Sequence, residues 1–89
     1  MEIIRRATAG TLESSDVYVE IEANPSTLDI QLESVVREQF GDSILESVRD
    51  VLDKSGVTKA TVRITDRGAL DCVIRARVET AILRGKENA

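Results

Sequence analysis

Val17, Val19, Ile21 and Ala23 alternate strictly with Tyr18, Glu20 and Glu22. A strand sends successive side chains to opposite faces, so this run predicts a half-buried strand whose apolar face another layer must cover. Asn24-Pro25-Ser26 ends it, because Pro25 has no N–H to give to a ladder. Alternation resumes in Leu28-Asp29-Ile30-Gln31-Leu32, a further strand after a short turn. The segment from Ile4 to Leu12 is a weaker strand. Pairing it with the Val17 strand puts Glu13 to Asp16 at a hairpin tip, where Ser14-Ser15-Asp16 suits a turn.

The period changes after Phe40. Ile44, Leu45, Val48, Val51 and Leu52 line one stripe of a helix that ends at Gly56, with Lys54 in its last turn. Ser43 is expected to open this helix, and Glu46 three residues later completes a capping box. Ala60-Thr61-Val62-Arg63-Ile64 alternates again, and Asp66-Arg67-Gly68 turns out of it. Leu70, Val73, Ile74, Val78, Ala81 and Ile82 make a second amphipathic helix closed by Arg84-Gly85. The predicted fold is a two-layer α+β sandwich, a mainly antiparallel sheet covered by two helices in the order β-β-β-α-β-α. A single domain is expected over residues 1–86, with residues 87–89 a flexible tail.

Composition narrows the function. The 89 residues suffice for one modest core, and the balance of 42% hydrophobic to 31% charged residues favours a soluble globular domain over disorder. No apolar run approaches the roughly 20 residues of a membrane span, and Met1 to Arg6 lack the pattern of a secretory signal. One cysteine excludes an internal disulfide, and a cytoplasmic location is expected. The absence of histidine removes the commonest general base and zinc ligand, and no calcium-loop spacing replaces it, so no metal is expected. A net charge of -4, with one Tyr, one Phe and no Trp, argues against nucleic acid as a partner. Charge is also uneven: residues 13–53 carry 11 acidic and 2 basic side chains, residues 54–86 carry 8 basic and 3 acidic. Such asymmetry either orients a partner or simply marks two solvated faces.

Four groups of residues compete for chemistry. Ser14 offers a hydroxyl at an exposed tip, where a modifying enzyme has access and can supply its own base; turn formation alone is the plainer account. Ser43, in Gly41-Asp42-Ser43-Ile44-Leu45, resembles the Asp-Ser-Leu attachment site of four-helix acyl carriers, but the capping box explains it without modification. Cys72 shares a helical stripe with Ala69, Ala76 and Leu83 and is read as packing at the margin of the core. Asp71 and Arg75 are spaced for an i,i+4 ion pair, and Arg77 falls within the apolar stripe with its head extended to the edge. Arg75, Arg77 and Arg84 otherwise present a basic helix face to a partner or to the phosphates of an attached arm.

Several blocks occur in one order along nearly the whole chain: Ala9-Gly10-Thr11-Leu12-Glu13-Ser14 with Asp16, Glu38-Gln39-Phe40-Gly41-Asp42, Asp50-Val51-Leu52, Gly68-Ala69-Leu70-Asp71-Cys72 and Arg75-Ala76-Arg77. Together they resemble the acyl carrier (gamma) subunit family of citrate lyase. The resemblance implies that Ser14 receives a phosphoribosyl-dephospho-coenzyme A group from a prosthetic-group transferase. Family members often have Gly where this chain has Ser15. It further implies two partners, an alpha subunit that exchanges acetyl for citryl on the arm and a beta subunit that cleaves the citryl thioester to oxaloacetate. The carrier itself would be non-catalytic. Carriers of citramalate lyase or malonate decarboxylase use similar parts, and an adaptor domain without an arm is the alternative from another class.

Overall fold

The computed structural model describes residues 2–86. The elements are β1 (Ala7–Gly10), β2 (Val17–Glu22), β3 (Leu28–Ser34), α1 (Arg37–Lys54), β4 (Ala60–Asp66) and α2 (Asp71–Gly85). The predicted α+β order holds, and β1 and β2 form the expected hairpin, Gly10 facing Tyr18. Residues 87–89, read as a tail, lie outside the described residues.

The strands stand in the order β1-β2-β4-β3. β4 is antiparallel to β2 but parallel to β3, so the sheet is mixed. Periodicity alone does not give this order. The short link after β2 does not fold β3 back onto β2; it leaves a slot that β4 fills after the α1 crossover. Asn24 builds the link, its Oδ1 accepting from the N–H groups of Ser26 (3.0 Å) and Thr27 (3.2 Å) and its Nδ2 donating to Thr61 Oγ1 at 3.2 Å. Ala60 N–H then donates to Thr27 O at 3.1 Å, tying the start of β4 beneath it.

Both helices lie on the apolar face of the sheet. Val17, Val19 and Ile21 of β2 and Val62 and Ile64 of β4 meet Ile44, Val48 and Leu52 of α1 and Ile74, Val78 and Ile82 of α2 in one buried cluster. Each such side chain, fully withdrawn from water, contributes about 1.5–3 kcal/mol, so this layer is the main source of stability. Polar bonds join the helices at their edge. Arg75 donates to Asp71 Oδ2 at 2.9 Å and to Asp50 Oδ2 at 2.7 Å, while Ser47 Oγ donates to Asp71.

Helix ends follow the sequence unequally. Gly56 takes φ +71°, with its N–H on Asp53 O (3.0 Å) and the Val57 N–H on Leu52 O (2.9 Å), a Schellman cap at the predicted place. The start of α1 is a correction. The helix begins at Arg37, so Ser43 is an exposed mid-helix residue and forms no capping box with Glu46. Val36 occupies the N-cap without a side-chain bond. Gly41 lies before the helix if Ser43 opens it, yet it is buried inside the helix, where an added Cβ would approach Arg37 Cγ to 3.2 Å. Val36, Phe40 and Ile44, four residues apart, extend the stripe toward the N-terminus.

Cys72 is also corrected. It is exposed, because the buried face of α2 runs through Ile74, Val78, Ala81, Ile82 and Gly85 and turns the stripe of Cys72, Ala76 and Leu83 outward.

Candidate functional site

The β1–β2 tip is shaped by two residues with positive φ. Gly10 (φ +86°) ends β1 so close to β2 that an added Cβ would lie 1.8 Å from Val17 O. Asp16 N–H donates to Glu13 O at 3.1 Å, closing a four-residue turn with Ser14 and Ser15 in its middle. Ser15 takes φ +66°, at the turn position where glycine is ordinarily favoured.

The tip is docked against the loop between β4 and α2. Arg67 N–H donates to Asp16 O (2.9 Å), and Ser15 N–H donates to Arg67 O (2.9 Å). Two tip residues therefore face one residue of the partner segment, as in a β-bulge led by a left-handed residue. Across the tip, Arg67 Nε donates to Leu12 O at 3.2 Å.

Asp16 is the centre of this arrangement. Its Oδ2 accepts from Thr11 Oγ1 at 2.7 Å and its Oδ1 from its neighbour Val17 N–H at 2.7 Å. Arg77 of α2 adds Nε to Oδ1 at 3.2 Å and Nη2 to Oδ2 at 3.0 Å. The Thr11 hydroxyl, then the Val17 N–H and the Arg77 guanidinium, lower its carboxyl from 3.8 to about 2. Arg77 behaves as its place in the stripe implied: half-buried, with its head at the edge.

Ser14 stands at the exposed outer corner of this turn, and its hydroxyl makes no hydrogen bond among the described residues. The backbone is thus fixed while the oxygen is free. Ser43 is remote in sequence and lies on a different feature, a cleft of about 320 Å³ between α1 and the β4–α2 loop. Phe40, Leu70 and Ile74 line it with Ser43.

Three arginines of the basic second half pair with carboxylates of the acidic first half: Arg77 with Asp16, Arg75 with Asp50 and Arg63 with Glu22. Much of the asymmetry in sequence is therefore internal pairing in the fold. Sequence reading also passed over Asp66, 1% exposed at the end of β4. It accepts from Ser34 Oγ at 2.7 Å and from Ala69 N–H at 3.0 Å, setting the path of the loop that carries Arg67. Its inclusion in an apparently solvated Asp-Arg-Gly turn hid it. Among the described residues no group of three or more acidic or cysteine side chains converges to hold a metal ion, and no helix is long and apolar enough to cross a membrane.

A family model described as "ACP: Malonate decarboxylase delta subunit (MdcD)" matches residues 4–85. A citrate lyase acyl carrier protein of Yersinia enterocolitica is 53% identical over 88 residues, covering 98% of this chain and 91% of the relative. The chain belongs to the citrate lyase acyl carrier protein family. A second member of that family, from Haemophilus influenzae (strain PittEE), is 52% identical over 87 residues, 98% of this chain and 90% of its own. The fold is also that of a chain in the "Crystal structure of a Pseudomonas malonate decarboxylase hetero-tetramer in complex with malonate", with TM-score 0.78 and 25% identity. That superposition covers 94% of this chain and 87% of the other. As a member of the citrate lyase acyl carrier family, the chain matches over its sheet and both helices, not over the tip alone.

Proposed function

We propose that this chain is the acyl carrier subunit of citrate lyase and that Ser14 is esterified to a phosphoribosyl-dephospho-coenzyme A arm. The observation that carries the proposal is the free, outward hydroxyl of Ser14 on a tip otherwise hydrogen-bonded into place. Relatives of this name at about half identity support it. The site fits such an attachment: an unengaged Ser14 oxygen, with the Ser15 hydroxyl equally unengaged beside it, room on the solvent side, and no basic group needed from the carrier when the transferase provides one.

When attached, the arm supplies a thiol that holds acetyl and citryl groups as thioesters. This chain's own residues do the presenting. Asp16 and Arg77 keep the tip from folding back, so the point of attachment stays at the periphery. Tethering makes delivery to the alpha and beta subunits a local event at high effective concentration. The carrier contributes no catalytic group, and we place the complex in the cytoplasm.

A malonate decarboxylase carrier is the second reading, favoured by the structural neighbour at TM-score 0.78. Its 25% identity against 53% for the citrate lyase relative ranks it below the first.

The test is intact mass and peptide mapping after co-expression with a citrate-lyase-type transferase system. The expected result is an adduct on the Ser14 peptide that disappears in Ser14→Ala and persists in Ser43→Ala. The reverse pattern moves the site to Ser43. No adduct, with the transferase active on a control carrier, favours an adaptor. Reconstitution with citrate lyase or malonate decarboxylase subunits then separates the two carrier readings.

A further inference from the structure

We propose that Arg67 binds the phosphate that joins the arm to Ser14, an inference that rests on Ser14 as the attachment site. Attachment adds a phosphodiester anion to a corner that already holds Glu13 and Asp16 on either side of the two serines. Left uncompensated, that anion meets like charge across a few ångströms. Two arginines reach the tip. Arg77 is occupied, with two nitrogens on the Asp16 carboxylate. Arg67 is not: its Nε donates to a neutral carbonyl, Leu12 O, and its Nη groups have no partner among the described residues. Among the described residues it is a cation at this corner with no carboxylate paired to it.

Arg67 is also held where the phosphate would form. Its main chain bonds Ser15 and Asp16, immediately after Ser14, and its side chain bonds Leu12, two residues before. Arg67 thus spans both limbs of the turn, its main chain on one and its Nε on the other, with the Nη edge still available as a fork for phosphate oxygens. A role confined to clamping the tip would need only the Nε bond and would be unaffected by loading.

The test compares loaded and unloaded carrier by arginine Nε–H NMR, with the mass of the Ser14 peptide measured on the same samples. Loading is expected to move the Arg67 signal more than that of any other arginine. About 1 M salt, where the screening length is ~3 Å, should reverse most of the shift. Arg67→Gln identifies the signal by its loss. At low salt the variant should lower the loaded-minus-unloaded Tm difference by about 1–5 °C. If that variant does not fold, the wild-type spectra and salt titration decide alone. An adduct on Ser14 with an unmoved Arg67 signal overturns the role of Arg67 and leaves Ser14 standing. Absence of an adduct on Ser14, with active transferase, overturns both.

Discussion

Arg77 on the second helix grips Asp16 at the hairpin tip through two hydrogen bonds of 3.2 and 3.0 Å, joining residues 61 positions apart. The contact ties the tip of the β1–β2 hairpin to a helix packed on the core. Its acid sensitivity follows from the depressed carboxyl. A group whose pKa is lower in the folded state contributes stability that is fully present above its unfolded value and lost as pH falls through the folded one. For Asp16 that window runs from 3.8 down to about 2. Asp16→Asn should lower Tm at neutral pH, and its gap to wild type should narrow across this window. Asp50, lowered chiefly by Arg75, and Asp71, lowered chiefly by Ser47, keep part of the acid slope in the variant. Thermal melts from pH 7 to 2 check this; a constant gap refutes it.

Two glycines with nearly equal φ separate torsional strain from collision. Gly10→Ala meets Val17 O as well as an unfavourable φ, whereas Gly68→Ala at φ +91° has nothing within 4 Å of the new methyl. The first should cost about 3 kcal/mol and the second about 1 kcal/mol. In a domain of this size that is a Tm fall of roughly 12–24 °C against roughly 4–8 °C. Equal losses would mean that the close approach of β1 to Val17 does not govern the tip.

Ser15→Gly should be stabilising. Release from φ +66° gains about 1–2 kcal/mol, and the freer unfolded chain returns about 0.4–1 kcal/mol. The net gain is about 0.5–1 kcal/mol, a Tm rise of ~2–8 °C. The same variant removes the second hydroxyl, so full loading of Ser15→Gly, read by intact mass, excludes Ser15 as the point of attachment.

Ser34→Ala strands two groups at once. The buried Asp66 loses its 2.7 Å donor, and Val36 N–H loses the Ser34 Oγ acceptor at 3.1 Å. A loss of about 1–3 kcal/mol is expected in urea unfolding. Thr80→Ala removes only a bond to the carbonyl one turn back and should stay within about 0.5 kcal/mol of wild type.

Local pattern carried much of this fold. Alternation in Val17 to Glu22 found β2, Gly56 found the end of α1, and the serine-rich break found the hairpin tip. What escaped depends on partners far along the chain. Ser43 satisfies a capping rule perfectly well in isolation, but burial of Gly41 and packing of Val36 against the core carry the helix on toward Arg37. Asp66 reads as solvated until Ser34 and Ala69 arrive to bond it. Ser14 was found as an exposed hydroxyl, while the residues that fix its corner, Arg67 and Arg77, lie in other elements and carry no local signature of that task.

The place of β4 sets an order of assembly. Six of its residues pair with β2 on one side and all seven with β3 on the other, yet they are synthesised after both. A nascent chain that has not reached Ala60 holds a hairpin and a strand with no seam between them. Arg67 and Arg77 emerge later still, so the corner bearing Ser14 acquires its final geometry only after both have been added. A chain cut short before Arg67 would keep the Ser14 hydroxyl but lose the bonds that hold its turn to the β4–α2 loop and to α2.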